Sequence, residues 1–182
     1  MNFSFWRIKF PSIVMAWIFL LSLQLNYYAQ PKEKEIHAVL INKISSYLVW
    51  PENTLDDTVF NIGVYGDDKF GKLLDELFKE RQVFNKEIKV KKVRSSADLL
   101  KCNSVFFAEI PKADLLEMLI KIVNKPILTF GNSKGYSKLG IHVNFYISEN
   151  RIRFEINEDA LKRSGLYAPP SLLKLAEPMN RN

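Results

Sequence analysis

A glycine-containing segment near the middle of the chain matches a phosphate-binding loop at every position but the last. The segment reads Gly66-Asp67-Asp68-Lys69-Phe70-Gly71-Lys72-Leu73 and follows an apolar run. In the pattern G-x-x-x-x-G-K-[ST], the last residue supplies a hydroxyl for magnesium and the backbone amides surround the phosphates. Leu73 has no hydroxyl, and Asp67 and Asp68 would repel a phosphate. We therefore expect no nucleotide cofactor here, but a tight turn in which Asp67 or Asp68 caps the following helix.

The other residues able to perform chemistry do not form a recognisable catalytic set. The chain has two histidines, His37 and His142, and one cysteine, Cys102. It has no G-x-S-x-G nucleophile motif, and the two histidines lack the spacing of a metal site. A Cys102–His142 pair remains open, but the apolar flanks of Cys102 indicate a buried thiol, which is a poor nucleophile. The sequence predicts a non-catalytic protein with no metal and no cofactor.

Turn residues follow several of the apolar runs, and they are the first candidates for a ligand or partner site. Gly66-Asp67-Asp68 follows the first predicted strand, Glu109 follows the third, and Gly131-Asn132 follows the fourth. In open α/β sheets, ligands bind beyond the carboxyl ends of the strands. Glycines there let backbone amides approach a bound group closely. The alternative is that all of them are ordinary turn residues.

Charged residues along a predicted strand near the carboxyl end are the second candidates. Arg151, Arg153 and Glu155 alternate with the apolar residues of the segment 151–156. Successive side chains of a strand point to opposite faces, so the three charges share one face. Such a face is usually solvated or paired across the sheet. The alternative is a surface for a partner or a ligand.

The composition is that of one mildly basic globular domain. The chain has 182 residues, of which 47% are hydrophobic and 25% charged, and its net charge is +6. Without Arg7 and Lys9 of the amino-terminal segment, the net charge is +4. The densest basic cluster has no interleaved aromatic residues, so we expect no nucleic-acid partner. That cluster comprises Lys89, Lys91, Lys92 and Arg94.

Residues 1–29 are predicted to be a signal peptide. Arg7 and Lys9 precede an apolar stretch from Ile13 to Leu25, and Ala29 is a plausible cleavage position. A membrane-spanning helix needs roughly 20 apolar residues, and this stretch is shorter. An uncleaved anchor is the alternative, because Tyr27 occupies a position where signal peptidase prefers a small residue. The expected organisation is therefore a signal peptide over 1–29 and one α/β domain over 30–182.

Hydrophobic periodicity predicts strands and helices that alternate along the chain. Helices are expected over Lys34–Leu48, Phe70–Phe78, Ser96–Leu100, Ala113–Val123, Asn157–Ser164 and Ser171–Ala176. Strands are expected over Phe60–Tyr65, Glu87–Val93, Ser104–Ala108 and Pro126–Phe130, with a hairpin of His142–Ile147 and Arg151–Ile156. Gly131–Gly140 is predicted to be a loop. This order predicts a mostly parallel sheet with helices on both faces and an antiparallel hairpin at one edge.

Several of these segments together resemble the YfiR-like family. The segments are Tyr47-Leu48-Val49-Trp50-Pro51, the turn Gly66-Asp67-Asp68, Cys102 before Val105-Phe106-Phe107, the strand Ile127-Leu128-Thr129, the pair Asn144-Phe145, the run from Arg151 to Asn157, Ala160, Gly165-Leu166 and the run from Ser171 to Ala176. The resemblance covers roughly residues 35–176 and is most specific in the carboxyl-terminal half. It implies a periplasmic protein with a Rossmann-like or flavodoxin-like fold.

The family's best-known role is to bind and repress a membrane-anchored diguanylate cyclase, which controls cyclic-di-GMP and biofilm behaviour. Members of the best-known subgroup form disulfides from further cysteines, whereas this chain has only Cys102. We therefore expect an exported signalling protein that modulates the periplasmic part of an inner-membrane protein, without an intramolecular disulfide. The alternative is a small-molecule-binding sensor domain or carrier acting with a sensor kinase or receptor. An exposed apolar patch and a homodimer would favour the first function, and a large apolar pocket with convergent polar groups the second.

Overall fold

The first element of the part of the chain that the structure describes is an amphipathic helix, α1, over residues 33–47. A computed structural model describes residues 33–52, 54–55 and 58–179, so the predicted signal peptide lies outside the described residues. Ala38, Ile41 and Ile44 are buried at helical spacing, which is why this segment packs one face against the core. Pro51 follows the helix and prevents its continuation.

Strands and helices then alternate to the end of the described chain. Their bounds are β1 Val59–Tyr65, α2 Asp68–Phe78, β2 Gln82–Val83, β3 Lys86–Lys92, α3 Ser96–Leu99, β4 Ser104–Phe107, α4 Lys112–Ile122, β5 Leu128–Gly131, α5 Tyr136–Leu139, β6 Val143–Ser148, β7 Arg151–Ile156, α6 Glu158–Arg163 and α7 Pro170–Leu173.

The seven strands form one sheet in the order β2-β3-β1-β4-β5-β6-β7. The five strands from β3 to β6 are parallel, whereas β2 and β7 pair antiparallel at the two edges. Counted along the chain, the parallel strands have the order 2-1-3-4-5, which is the flavodoxin-like order. The predicted α/β fold with a carboxyl-terminal antiparallel hairpin is therefore confirmed.

Two hydrophobic clusters cover the two faces of the sheet. Phe106 of β4 belongs to the cluster that includes α1 and α2, whereas its neighbours Val105 and Phe107 belong to the cluster that includes α3 and α4. This alternation follows from the two-residue period of a strand. All four residues of β4 are buried, as expected for a central parallel strand covered on both faces.

Two short elements differ from the sequence-based prediction. The predicted loop Gly131–Gly140 contains the four-residue helix α5, which lies between Gly135 and Gly140, both with left-handed backbone (φ 84° and 115°). The two-residue strand β2 forms a tight hairpin with β3 through Phe84 and Asn85 (φ 51° and 60°). Hydrophobic periodicity did not reveal these two elements, because two and four residues are far fewer than the window over which it is measured.

Candidate functional site

The carboxyl ends of the parallel strands share one edge of the sheet, and the register places the candidate residues along it. Tyr65 aligns with Phe107, and Phe107 aligns with Gly131. Gly131 aligns with Asn144, which pairs with Glu155 of β7. The structure therefore brings Gly131 close to Glu155, which the sequence placed on a separate surface, and it spreads the other strand-end candidates along the same edge. The strand-end candidates are Gly66, Asp67, Asp68, Glu109, Gly131 and Asn132.

Side chains of the chain itself fill the space between the ends of β1 and β4. A flavodoxin-like sheet has its ligand crevice there, because α2 and α4 leave these strands toward opposite faces. A Cβ atom on Gly66 would lie 2.7 Å from Ile110 Cγ2, and one on Gly131 would lie 2.7 Å from the Tyr136 ring. The absence of a side chain at both glycines thus makes room for Ile110 and Tyr136.

Tyr136 also fixes the backbone of the turn after β4. Its Oη accepts a hydrogen bond from Ile110 N at 2.9 Å. The same oxygen lies 3.2 Å from the Ala108 carbonyl oxygen and 3.0 Å from that of Ile110. One backbone amide of this turn is therefore already bonded within the protein, whereas Glu109 and Asn132 are exposed at the edge.

The two aspartates after β1 have structural partners. Asp67 Oδ1 accepts a hydrogen bond from Phe70 N at 2.9 Å and so caps α2, as predicted. Asp68 forms a salt bridge with Lys92 of β3, and both side chains are largely exposed. Because Asp67 already bonds the Phe70 amide, that amide is not free to contact a phosphate. A cleft of about 360 Å³ beside these residues has both acidic and basic side chains in its lining.

The three charged residues of β7 have different environments. Arg151 is exposed and directly follows the two-residue turn of the hairpin. Arg153 Nη1 lies 3.3 Å from Glu177 Oε1 near the end of the described chain, and both side chains are partly exposed. Glu155 is half-buried and accepts a hydrogen bond from Ser137 Oγ. The predicted surface thus separates into an exposed outer part and an inner carboxylate that is bonded within the protein.

Asn144 is a buried polar residue at the edge that the sequence analysis missed as a site residue. Its Nδ2 donates to Ser133 O at 3.0 Å and to Glu155 Oε1 at 3.2 Å. Its Oδ1 is buried without a hydrogen-bond partner among the described residues. A Cβ on Gly131 would approach that oxygen to 3.2 Å. An asparagine at a buried position of an alternating strand is the signal that could have identified it.

A second buried polar group lies two residues before Gly131 and Asn144 on the same two neighbouring segments, and it joins four segments of the chain. Thr129 N donates to His142 Nδ1 at 3.0 Å, and His142 N donates to Thr129 Oγ1 at 2.9 Å. Because Nδ1 accepts from an amide, this network assigns the imidazole proton to Nε2, which lies 3.1 Å from Ser164 Oγ. Ser164 Oγ donates in turn to Val123 O at 3.2 Å. Burial lowers the pKa of His142 to about 4, so the ring is neutral at physiological pH.

An apolar cavity of about 170 Å³ opens beside this group, between α4 and α6. Leu116, Leu119, Ile120 and Val123 of the α4 segment form its wall. Thr129, His142 and Ser164 line its polar side, and Arg163 is the single charged residue of the lining. The sequence analysis did not identify this cavity, because its lining comes from four segments that are distant along the chain.

A cluster of large apolar side chains is exposed around α1 and α7, and we call it the apolar patch. It comprises Tyr47, Val49, Tyr167 and Leu175, which are exposed by 61%, 56%, 52% and 72%. The backbones of Val49 and Tyr167 exchange hydrogen bonds of 2.9 Å and 3.0 Å. Tyr47 and Leu175 lie at a cavity of about 270 Å³ that Phe154 also lines. The patch therefore consists of two pairs: Tyr47 and Leu175 share a cavity, and Val49 and Tyr167 are joined through their backbones.

Within the ranges 33–52, 54–55 and 58–179, no group of three or more histidine, cysteine or acidic residues is arranged to hold a metal ion. In the same ranges, no helix has the length and apolar character needed to cross a membrane. The Cys102–His142 pair that the sequence left open does not form. Cys102 Sγ donates to Asp98 O at 3.3 Å, whereas the nitrogens of His142 contact Thr129 and Ser164.

The fold is that of an α/β protein with the flavodoxin-like strand order. The family model described as YfiR/HmsC-like matches residues 34–177, and the chain therefore belongs to the YfiR/HmsC-like family. The resemblance inferred from the sequence is confirmed. A comparison with curated proteins finds no significant match.

Among solved structures, similarity is confined to the fold. A conserved domain protein from Vibrio cholerae O1 biovar El Tor superposes with a TM-score of 0.55 and 15% identity, over 80% of this chain and 59% of that chain. The ABC domain from Streptococcus pneumoniae, in complex with L-Trp, has a TM-score of 0.48 and 11% identity, over 65% of this chain and 54% of that chain. The second similarity is too low to support an argument. This chain thus spans little more than half the length of either structure.

Proposed function

We propose that the protein is an exported, non-catalytic signalling protein that binds and modulates the periplasmic part of an inner-membrane signalling protein such as a diguanylate cyclase. The observation that carries this proposal is the match of residues 34–177 to the YfiR/HmsC-like family. Through the cyclase, the protein would regulate cyclic-di-GMP and biofilm formation. Residues 1–29 would direct export and be removed after Ala29.

The apolar patch supports a role in binding another protein. Soluble monomers rarely expose contiguous apolar surface beyond a few hundred Å², and larger patches usually mark interaction sites. Two of the four exposed residues are tyrosines, a residue type enriched at energetically important interface positions. A cavity of about 270 Å³ between Tyr47 and Leu175 could accept one side chain of the partner. We therefore assign the partner contact to this patch.

The absence of enzymatic activity is part of the same proposal. Cys102 is buried, and burial raises the pKa of its thiol to about 11, so a nucleophilic thiolate would be rare. His142 is hydrogen-bonded on both nitrogens and is neutral, so neither nitrogen is free to act as a general acid or base. The carboxylate of Glu155 is bonded to Ser137 and Asn144. These observations support a protein that acts by binding.

Site-specific photocrosslinking in living cells tests the partner contact. A photoreactive phenylalanine analogue replaces Tyr47 in one strain and Ile120 in another, because Ile120 is at least as exposed (70% against 61%) but lies outside the apolar patch. We expect an adduct with an inner-membrane protein that has a periplasmic domain from the Tyr47 position alone. Crosslinking of that protein from Ile120 and not from Tyr47 would refute the assignment of the patch.

A second candidate function, a small-molecule-binding sensor domain, is favoured by the cavity between α4 and α6. The cavity is apolar, and several polar residues converge on it, which is the usual composition of ligand sites. Its volume of about 170 Å³ is below the range of drug-sized ligands. This candidate and the partner role are compatible, because the cavity and the apolar patch share no residue.

A further inference from the structure

We propose that the cavity between α4 and α6 binds a small anionic amphiphile, a molecule with an apolar body of about one six-membered ring and a single carboxylate. The carboxylate would pair with Arg163, and the ring would lie against α4. This inference rests on the second candidate function and assigns it a ligand class. It does not depend on the identity of any protein partner.

The size and walls of the cavity define the apolar part of the ligand. Its volume is about 170 Å³, and an apolar protein cavity of about 150 Å³ is known to accept benzene. Leu116 is half-buried and Leu119 is buried. Ile120 and Val123 of the same wall are exposed by 70% and 46%. A ligand ring would shield these two side chains from water, which supplies the favourable free energy of binding.

The polar side of the cavity requires no polar group from the ligand. His142 is bonded to Thr129 through Nδ1 and to Ser164 through Nε2, and Ser164 donates to Val123 O. These bonds therefore connect the polar groups to one another. Because burial also keeps His142 neutral, this side presents no charge to the cavity. A ligand with polar atoms along its body would lose hydrogen bonds to water without gaining any here.

Arg163 defines the charged part of the ligand. It is the one charged residue in the lining, and it forms no salt bridge with any residue that the structure describes. No aspartate or glutamate lines the cavity, so an anion meets no like charge there. A guanidinium binds a carboxylate through two parallel hydrogen bonds, a stronger arrangement than a neutral pair. Because Arg163 is exposed, the carboxylate would be held at the cavity rim.

A methyl NMR titration of the purified, exported protein tests the proposal with three probes. Benzoate has both parts of the predicted ligand, toluene has the ring alone, and acetate has the carboxylate alone. We expect benzoate to cause saturable shifts of the Leu119, Ile120 and Val123 methyl groups. Toluene and acetate should bind at least about tenfold more weakly, since each lacks one of the two interactions. No partner protein is present, so failure here would leave the partner proposal untouched.

Two exposed basic residues at the end of α6 provide a matched pair of variants. Arg163→Gln should weaken benzoate binding at least about tenfold while leaving toluene binding unchanged, because it removes only the charge pair. Lys162→Gln removes a neighbouring charge that does not line the cavity, and it should change neither. Benzoate shifts confined to other parts of the protein, an absence of shifts, or equal benzoate affinity in the Arg163→Gln variant would overturn the proposal.

Discussion

At the scale of single residues, His142 is expected to control how stability depends on pH. Its pKa is lowered from 6.5 to about 4, chiefly by burial, while in the unfolded chain it returns to its usual value. Between these values the unfolded state binds the extra proton and the folded state does not, so stability falls as pH decreases. The stability is fully present above pH 6.5 and levels off below pH 4. We expect a loss on the order of a few kcal/mol over this window, measured by urea unfolding.

The variant His142→Asn isolates this contribution. Asparagine can still accept the hydrogen bond from Thr129 N but cannot be protonated in this range. We expect it to be less stable at pH 7 by about 1–3 kcal/mol, because the contact with Ser164 is lost. Its decline in stability between pH 6.5 and pH 4 should be smaller than that of the wild type. An equal decline in both proteins would show that other groups are responsible.

Cys102 is expected to be inert in the folded state. Burial is the main cause that raises the pKa of its thiol to about 11, and the thiol donates to Asp98 O. The native protein at pH 8 should therefore react with Ellman's reagent on the order of a hundredfold more slowly than the protein in guanidinium chloride. Rapid reaction without denaturant would mean that the thiol is accessible and that its environment differs from the one described.

Glycines show where single residues can and cannot be interpreted from sequence. Gly66 and Gly131 are expected at strand ends, where they would let a bound group approach, and the structure places both at strand ends. The group near Gly66 is the side chain of Ile110, which is distant along the sequence, and the group near Gly131 is the ring of Tyr136. Sequence can thus indicate that space is needed at a turn, but tertiary packing decides what occupies it.

At the scale of elements, the start of α2 tests whether Asp67 acts as its cap. Asp67→Ala should destabilise the protein by about 1 kcal/mol, because the Phe70 amide loses its acceptor. Asp68→Ala removes an exposed salt bridge with Lys92 and should cost less. Thermal and urea unfolding of the two variants would measure this difference. A larger loss of stability in Asp68→Ala than in Asp67→Ala would show that Asp67 is not the residue that caps α2.

Elements with strong periodicity could be predicted from the sequence, whereas the short elements α5 and β2 could not. The helix ending before Pro51 and the hairpin of β6 and β7 have strong periodicity and clear breakers, so pattern alone located them. The helix α5 has only four residues, and its conformation depends on the two flanking glycines with positive φ. Tertiary contacts of Tyr136 hold it in place, and these do not appear in local sequence.

At the scale of the whole molecule, the alternation of strands and helices was sufficient to predict the α/β architecture. The register across the sheet was not predictable, and that register is what brings Glu155 beside Asn144 and Gly131. The apolar patch could not be predicted from the sequence either, because Val49 and Tyr167 are far apart along the chain and are brought together by backbone hydrogen bonds. The predicted strand-end site and the hairpin surface stay predictions.

The central claim is that the protein regulates a membrane signalling protein through the apolar patch, and cellular cyclic-di-GMP is its most direct readout. The gene is deleted in its host and restored as wild type, as the double variant Tyr47→Asp and Leu175→Asp, or as the control Leu100→Asp, which lies outside both the apolar patch and the cavity between α4 and α6. All three positions are exposed, so the substitutions should cost little stability. We predict that deletion raises the cellular concentration of cyclic-di-GMP. The wild-type protein and the control should return it to the level of the undeleted strain, whereas the double variant should leave it raised. Unchanged cyclic-di-GMP on deletion, or full restoration by the double variant at normal protein levels, would contradict the claim.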